Sequence, residues 1–195
     1  MALSAPVLAP QQIHGGTIVG ADDLRRGEIA ADGVMVAANG VMVAVETADC
    51  VPVVLLSDQR ALVLHASRKT LIRGLFDNAL TYVNPADISR IYLGPHICEY
   101  HFGFEEEGAL VKQFRYRYPE AVHLHKGIEY LSLRKALRGI FAQWDVHPKR
   151  IHEDGRCTFE HPTLPSYRRA IASGLPGAGQ GLLTVVWRVA SESNA

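Results

Sequence analysis

The sequence predicts a single layered domain of class α/β or α+β, in which helices pack against β-sheets. Its 195 residues match the usual size of one domain. Hydrophobic residues make up 48% of the chain, which is enough for a substantial core and far from the composition of disordered proteins. Strand-like and helix-like segments are mixed along the chain, without the regular alternation of a doubly wound sheet.

The first strands are predicted in the N-terminal third of the chain. Residues 34–38 and 41–45 flank Asn39-Gly40, a pair that tolerates positive φ, and we expect a β-hairpin at this point. Residues 51–56 and 61–64 are rich in Val and Leu, and a nearly continuous apolar pattern is typical of strands buried on both faces. We therefore expect a second strand pair here.

The apolar spacing then becomes helical. Residues 71, 72, 75, 76, 79, 80 and 83 form one apolar face, which predicts a helix that ends before Pro85. Further helices are expected at 105–116, with glutamates in the first turn, and from the N-cap Ser132 to about Trp144. Short strands are predicted at residues 91–93, 121–125, 151–153 and 182–189.

The charge of the chain is balanced, with Lys+Arg 20 and Asp+Glu 20. Proteins that bind nucleic acids or anionic membranes usually carry a basic excess, so we expect neither partner.

The longest apolar run, residues 51–56, is too short to span a bilayer, and the first residues lack the features of a signal peptide. Three widely spaced cysteines do not form a disulfide framework and suit a reducing compartment. We therefore expect a cytoplasmic single domain over residues 1–195, with flexible ends at 1–11 and 190–195.

The motifs of P-loops, Rossmann domains, HExxH metalloproteases and serine hydrolases are absent from the sequence. The remaining candidates are cysteines and histidines at predicted strand ends. Cys50 precedes one strand of the second pair and His65 ends the other, so a hairpin would bring these side chains together. His14 is followed by two glycines that permit a sharp turn. One thiolate and two imidazoles can hold zinc with an open fourth position, as in catalytic zinc sites. The alternative is that Cys50 is a small buried apolar residue.

A second Cys/His pair occurs at Cys98 and His101, with the C-x-x-H spacing of metal-binding turns. The alternative is a second metal site, but no further pair of ligands at a matching spacing is evident in the sequence, so we expect these two side chains to have a packing role. Cys157 is expected to be a loop or core thiol.

Six short motifs carry a resemblance to a known family. They are Q-x-H-G at 12–15, A-D-G at 31–33, T-A-D-C at 47–50, H-A at 65–66, G-P-x-I-C-x-x-H at 94–101 and C-T-x-x-x-P-x-x-P-S-Y-R-R at 157–169. In this order the set resembles the laccase-domain family, whose members are named polyphenol oxidases and are understood as zinc-dependent purine nucleoside enzymes. The resemblance runs from about residue 11 to the last predicted strand. It implies a layered α/β sandwich with mixed β-sheets flanked by helices.

The resemblance also implies functions for individual residues. In the family the histidine of Q-x-H-G, the cysteine of T-A-D-C and the histidine that follows bind zinc, which implies His14, Cys50 and His65 here. Copper is less expected, because one cysteine and a few histidines do not furnish the several sites of a copper oxidase. The implied reactions are phosphorolysis of adenosine, inosine and methylthioadenosine, and deamination of adenosine. The expected substrates are therefore a purine nucleoside and phosphate.

The candidate catalytic residues are Asp49 and Cys50, where the alternative for Asp49 is an acid that caps a loop. The candidate substrate-binding residues are Arg68, Lys69, Tyr167 and Arg168. Cationic side chains suit phosphate oxygens, and a tyrosine can stack on a purine ring. The alternatives are a solvated arginine pair and a core tyrosine.

The chain departs from the family pattern at several positions. Where the family has H-A-G-W-R-G, residues 65–70 are H-A-S-R-K-T, so Lys69 replaces an arginine while Arg68 stands beside it. The Tyr and Glu of the family's C-Y-E-V are lost at residues 101–104. Relatives carry a further β-rich stretch before Q-x-H-G that helps to build the substrate pocket, whereas this chain starts almost at the motif. Whether a second subunit in a homodimer completes the pocket stays open. Two other functions stay open: a zinc- and nucleoside-binding member with little catalysis, and a metal-free hydrolase with a Cys50–His65 nucleophile pair.

Overall fold

A computed structural model describes residues 6–104, 108–176 and 179–189. The strands in these ranges are β1 (Val7–Leu8), β2 (Ile18–Gly20), β3 (Gly33–Val36), β4 (Met42–Thr47), β5 (Val51–Ser57), β6 (Ala61–Ala66), β7 (Ile88–Leu93), β8 (Gly103–Phe104), β9 (Val122–His125), β10 (Ile128–Leu131), β11 (Ile151–Glu153) and β12 (Leu182–Trp187). The helices are α1 (Ala21–Leu24), α2 (Arg68–Ile72), α3 (Leu75–Ala79), α4 (Ala109–Arg117), α5 (Leu133–Gln143) and α6 (Tyr167–Ala172). Short 3₁₀ turns lie at Pro85–Asp87, Glu99–His101, Pro119–Ala121 and Pro148–Arg150.

The described strands form a central sheet and two smaller ones. The central sheet has the order β11-β7-β5-β6-β3-β2, antiparallel in the middle and parallel at both edges. The order β1-β4-β12 makes a second, mixed sheet, and β8-β10-β9 make a small antiparallel one. Helices α2 to α5 pack on one face of the central sheet, and the second sheet packs on the other. The predicted fold class, a layered α/β sandwich with mixed sheets and flanking helices, is confirmed.

The β5–β6 hairpin forms the middle of both cores. Leu55 and Leu64 belong to the core under the helices, whereas Val54 and Val63 belong to the core that faces the second sheet. Successive side chains of a strand point to opposite faces, so a strand between two cores must be apolar at nearly every position. The predicted burial of this pair on both faces is confirmed.

The hairpin predicted at Asn39-Gly40 is wrong. β3 pairs with β2 and β6 in the central sheet, whereas β4 pairs with β1 and β12 in the second sheet. Gly40 does adopt a positive φ of 75°, but its amide donates to the carbonyl oxygen of Arg188, at 2.9 Å, beyond the end of β12. The turn residues predict the local backbone conformation, while the layer that buries each strand decides its partners.

The single helix predicted from residue 71 onward is also wrong, because the structure has two short helices there. α2 ends at Ile72, and Gly74 takes the left-handed φ of 80° immediately before α3. Leu71, Leu75 and Phe76 are nevertheless all buried in the helix-side core. The apolar spacing predicts most of the buried side chains, although Leu80 of the predicted face is exposed, and it does not show the break in the backbone.

The remaining element predictions agree with the described residues. Ser132 is the N-cap of α5, and its Oγ accepts a hydrogen bond from the Lys135 amide at 3.2 Å. The strands expected near 91, 122, 151 and 182 are β7, β9, β11 and β12. Residues 105–107, expected in the first turn of α4, lie outside the described residues, as do 1–5 and 190–195 of the expected flexible ends. No described helix is both long enough and apolar enough to cross a membrane.

Candidate functional site

One cavity is lined by every site residue predicted from the sequence. It has a volume of about 790 Å³ and lies where the end of the β5–β6 hairpin meets the first turn of α2, strand β8 and the start of α6. The predicted residues in its lining are His14, Asp49, Cys50, His65, Arg68, Lys69, Tyr167 and Arg168. Their chemical roles stay predictions, but the fold brings them to one place.

His14, Cys50 and His65 form the cluster called the Cys50 cluster below. In the β5–β6 register Pro52 lies opposite His65, so Cys50 and His65 sit at the same end of the hairpin. One ligand atom from each of the three residues lies within 4.8 Å of the other two. The two imidazole rings meet edge to face, with centroids 4.7 Å apart. One sulfur and two ring nitrogens therefore converge as the sequence predicts.

The position of His14 depends on a tight turn. Its φ of 55° lies in the left-handed region, which is uncommon for a residue with a side chain. A Cβ on Gly16 would lie 2.3 Å from the carbonyl oxygen of Arg73, so only glycine fits there. Arg73 Nη1 donates to the carbonyl oxygen of His14 at 2.8 Å, and Asn78 Nδ2 donates to that of Gly16 at 2.7 Å. The turn is thus clamped against the junction of α2 and α3.

Asp32 is a site residue for which the sequence analysis proposes no role. It is fully buried, and its Oδ1 lies 2.8 Å from Nδ1 of His65. The same carboxylate accepts hydrogen bonds from the amides of His14, at 3.0 Å, and Gly15, at 2.6 Å. Burial works against its charge, but the hydrogen bonds from His65 and from the two amides hold the pKa of Asp32 below its usual value. An ionised carboxylate only accepts, so Nδ1 of His65 is the donor in this bond, and Nε2 is the ring nitrogen left to face a metal. The A-D-G motif was the available signal for this residue.

Two groups of the Cys50 cluster, His14 and Cys50, favour their neutral forms when no cation is bound. Burial, the neighbouring His65 and the cationic Lys69 and Arg73 lower the pKa of His14, so its ring is neutral near pH 7. Desolvation, with the charges of Asp49 and Asp32, raises the pKa of Cys50 to about 12. A bound divalent cation reverses this balance for a thiol, because it stabilises the thiolate directly.

We expect Asp32→Asn to weaken metal binding at the Cys50 cluster by about 10- to 100-fold, the usual cost of losing a carboxylate that orients a ligating histidine. The amide keeps the volume of the side chain but can no longer accept on both oxygens. Competition with a chromophoric chelator measures the affinity. Asp58→Asn, at the exposed turn between β5 and β6, is the matched control and should bind as the wild type does. Equal affinities would show that Asp32 does not orient His65.

Asp49 makes hydrogen bonds with both of its carboxylate oxygens. Thr158 Oγ1 donates to Oδ1 at 2.6 Å, and the Arg168 amide donates to Oδ2 at 2.7 Å. Asp49 is buried and has a φ of 89°, so these bonds fix the strained residue directly before Cys50. This arrangement favours the alternative of a loop-capping acid, and a catalytic role for Asp49 stays a prediction.

Two arginines share one aromatic ring in the cavity wall. The guanidinium carbon of Arg68 lies 4.1 Å from the centre of the Phe104 ring, and that of Arg168 lies 4.5 Å from it. Burial lowers the pKa of both groups, and for Arg68 the neighbouring Arg168 lowers it further. Arg68 Nε is buried and has no hydrogen-bond partner within the described chain. A buried, unpaired donor beside a second cation favours an anion at this point.

The altered H-A-S-R-K-T segment keeps a defined helix start. Ser67 Oγ accepts from the Thr70 amide at 3.1 Å, and the Ser67 amide donates to Thr70 Oγ1 at 2.8 Å, which is a capping box. Thr70 Oγ1 also donates to the carbonyl oxygen of His65 at 3.0 Å. The first turn of α2, with Arg68 and the exposed Lys69, is therefore tied to the ligand-bearing end of β6.

Outside this cavity, the structure places a second pair of potential ligands beside Cys98 and His101. These are Cys157 and Glu160, and one ligand atom of each of the four residues lies within 4.8 Å of the others. The expectation that Cys98 and His101 stand without a second pair is wrong. The spacing of Cys157 and Glu160 in the sequence is the signal that was missed.

The sequence from residue 1 to residue 185 matches a family model described as multi-copper polyphenol oxidoreductase laccase. The chain belongs to this family. The resemblance found from the six sequence motifs is therefore confirmed.

Proteins of three named organisms are similar in sequence to this laccase-family chain. A protein of Mycobacterium tuberculosis strain H37Rv named purine nucleoside phosphorylase is 32% identical over 174 residues, 84% of this chain and 67% of that protein. A protein of Corynebacterium glutamicum with the same name is 30% identical over 190 residues, 93% of this chain and 74% of that one. The match to a Rickettsia conorii protein of this name, 30% identical, covers 52% of this chain and only 44% of the relative.

Solved structures share the fold. A Neisseria meningitidis protein of the DUF152 family superposes with a TM-score of 0.81 and 26% identity, over 95% of this chain and 76% of that one. YlmD of Geobacillus stearothermophilus superposes with a TM-score of 0.79 and 21% identity, over 94% and 74% of the two chains, which shows a common fold.

Proposed function

We propose that this chain is a zinc-dependent purine nucleoside phosphorylase that acts on adenosine, inosine or methylthioadenosine. The observation that carries the proposal is that a three-ligand cluster and two guanidinium groups share one cavity. In phosphorolysis a phosphate oxygen forms a bond to C1′ of the ribose while the bond from C1′ to the purine nitrogen breaks. The products are a free purine and ribose 1-phosphate, or 5-methylthioribose 1-phosphate when the substrate is methylthioadenosine. The volume of about 790 Å³ is in the usual range of small-molecule sites.

The donor set of the Cys50 cluster fits zinc. One thiolate and two imidazoles are zinc ligands, and three protein ligands leave a fourth position for water or substrate. The bond from His65 to Asp32 fixes the ring with one nitrogen free for the metal. When bound, zinc would polarise an oxygen atom at the open position and lower the pKa of a water held there. Copper accepts a similar set, so elemental analysis has to decide between the two metals.

Arg68 and Arg168 are the proposed phosphate-binding groups, with Lys69 as a third cation. Phosphate would pair with the unpartnered Nε of Arg68 and neutralise the repulsion between the two guanidinium groups. Phe104 holds both groups in place from one side. The replacement of the family arginine by Lys69 is therefore compensated by Arg68, one position earlier. Tyr167, which is 56% exposed, lies in the lining of the same cavity and is proposed to stack on the purine.

The two other functions named from the sequence have less support. A metal-free cysteine hydrolase needs a thiolate near neutral pH, and a Cys50 pKa of about 12 opposes it. A family member that binds only zinc and a nucleoside does not require two half-buried arginines beside an open metal position. Adenosine deamination, a cytoplasmic location and a homodimer stay predictions.

Phosphate-dependent release of purine tests the proposed function. The full chain is incubated with each nucleoside, with and without phosphate, and the free base is measured by liquid chromatography. Arg68→Ala should raise KM for phosphate by about 10- to 100-fold, the loss of one charge-assisted hydrogen-bonding group, with a smaller effect on KM for the nucleoside. Arg68→Lys should recover part of the loss, and Arg25→Ala, an exposed arginine paired with Asp22, should behave as wild type. Base release that does not need phosphate would indicate a hydrolase, and no release by zinc-loaded protein would indicate a binding protein.

A further inference from the structure

We propose that Cys98, His101, Cys157 and Glu160 form a second, closed zinc site, here called the Cys98 cluster. It is separate from the Cys50 cluster and does not depend on phosphorolysis. Two thiols, one imidazole and one carboxylate converge, and all four ligand types bind zinc in proteins. Four protein ligands leave no open position, so the site would be structural.

Two short turns build the Cys98 cluster, and each carries two ligands three residues apart. Cys98 is the N-cap of the 3₁₀ turn Glu99–His101, and positions i and i+3 of such a turn lie above one another. Cys157 and Glu160 flank a second turn with the same spacing. A parallel bridge pairs His96 with Cys157 and so sets the two turns side by side. The C-x-x-H pair and the C-x-x-E pair of ligands therefore lie next to each other.

The distances fit a tetrahedral site. Nδ1 of His101 lies 3.2 Å from Sγ of Cys98, 3.9 Å from Sγ of Cys157 and 3.4 Å from Oε1 of Glu160. Sγ of Cys98 lies 3.9 Å from the same Oε1. Zinc bonds of about 2.3 Å to sulfur and about 2.0–2.2 Å to nitrogen or oxygen place tetrahedral ligand atoms about 3.3–3.8 Å apart. These four separations therefore need only small adjustments to take up the ion, and the two remaining pairs of ligand atoms lie within 4.8 Å.

Groups around the cluster orient its ligands. The Cys98 amide donates to Sγ of Cys157 at 3.2 Å, a hydrogen bond that stabilises a thiolate. The His101 ring stacks on Phe159 with a centroid distance of 4.4 Å and an angle of 16°, which holds its Nδ1 toward the sulfurs. Such support is typical of metal ligands, whose orientation is set by their own neighbours.

The Cys98 cluster would stabilise one wall of the cavity that contains the Cys50 cluster. Arg169 Nη1 donates to the carbonyl oxygens of Thr158, at 2.6 Å, and His161, at 2.9 Å, which fastens the second turn to α6. Thr158 in turn donates to Asp49, directly before Cys50. A metal at the cluster would therefore fix the segment that positions Asp49 without touching the substrate.

Zinc content on a Cys50→Ala background tests this site by itself. The protein is purified without a metal-affinity tag and its zinc is measured by elemental mass spectrometry. About one zinc per chain should remain in Cys50→Ala, and Cys98→Ser or Cys157→Ser added to it should bring the content to background. Cobalt added to the zinc-free Cys50→Ala protein should give thiolate charge-transfer absorption, which Cys98→Ser weakens. Failure of the proposed phosphorylase would leave these results unchanged.

A variant of the exposed ligand tests the same site with less risk of unfolding the protein than the cysteine variants carry. Glu160 is exposed on the surface, and Glu160→Gln should speed the transfer of zinc to a chelator by about tenfold, as expected for a weakened ligand set. Glu28→Gln, also exposed, is the matched control and should transfer zinc as slowly as its parent. The proposal is overturned if Cys50→Ala holds no zinc, if its zinc is indifferent to Cys98→Ser and Glu160→Gln, or if mass spectrometry finds a Cys98–Cys157 disulfide.

Discussion

Cys50→Ala is expected to remove one metal ion per chain and to reduce phosphate-dependent base release to background. The substitution takes away the only sulfur of the Cys50 cluster and leaves two imidazoles, fewer ligands than zinc sites in proteins usually have. Elemental mass spectrometry and the nucleoside assay on the same preparation measure both quantities. His14→Ala and His65→Ala should give the same paired loss.

Two further variants serve as controls for this result. Cys50→Ser keeps the size of the side chain and should restore neither the metal nor the activity, whereas His147→Ala, an exposed histidine at a 3₁₀ turn, should keep both. An unchanged metal content together with lost activity would instead make Cys50 a nucleophile. An unchanged metal content together with unchanged activity would show that the Cys50 cluster is not the site.

Gly16→Ala is expected to destabilise the protein by about 1–3 kcal/mol, the usual cost of forcing extra volume into a packed position. The new Cβ would lie 2.3 Å from the Arg73 carbonyl oxygen, and this backbone atom cannot move without disturbing the start of α3. The shift would displace His14, so metal affinity should fall along with stability. Urea denaturation of metal-free protein, followed by chelator competition, separates the two effects.

Gly139→Ala is the matched control for Gly16→Ala. Gly139 lies inside α5, and a Cβ there meets nothing within 4 Å. Alanine in a helix interior is more favourable than glycine, so this variant should gain about 0.5–1 kcal/mol. Wild-type stability and metal affinity in Gly16→Ala would mean that the turn at His14 is not clamped as described.

The features that the sequence predicts well are those that depend on near neighbours. Ser132 caps α5 through an amide three residues away, and Gly40 takes the positive φ that its turn requires. The burial of β5 and β6 on both faces is visible in their Val and Leu content. The β5–β6 hairpin then places Cys50 beside His65, because its turn is short and its register follows from it.

The features that the sequence does not predict depend on contacts between distant segments. β3 and β4 are adjacent in the chain but belong to different sheets, and the turn residues between them do not indicate which sheet each strand joins. His101 and Cys157 are 56 positions apart, and the bridge from His96 to Cys157 and the hydrogen bond from the Cys98 amide to Cys157 bring their turns together. Asp32 could be found as a buried acid in a motif, but its bond to His65 needs the β3–β6 pairing.

The edges of the central sheet have a consequence for the behaviour of the protein in concentrated solution. β2 and β11, the two outer strands, contain three residues each, so either edge offers only about 10 Å of unpaired backbone. Long, flat edges are the sites at which a second chain adds by strand pairing, and short edges offer few unpaired backbone groups for such pairing. α1 begins directly after β2 and turns the chain away from the edge. The central sheet is thereby protected against extension at its own two edges, even though its core strands are among the most apolar parts of the sequence.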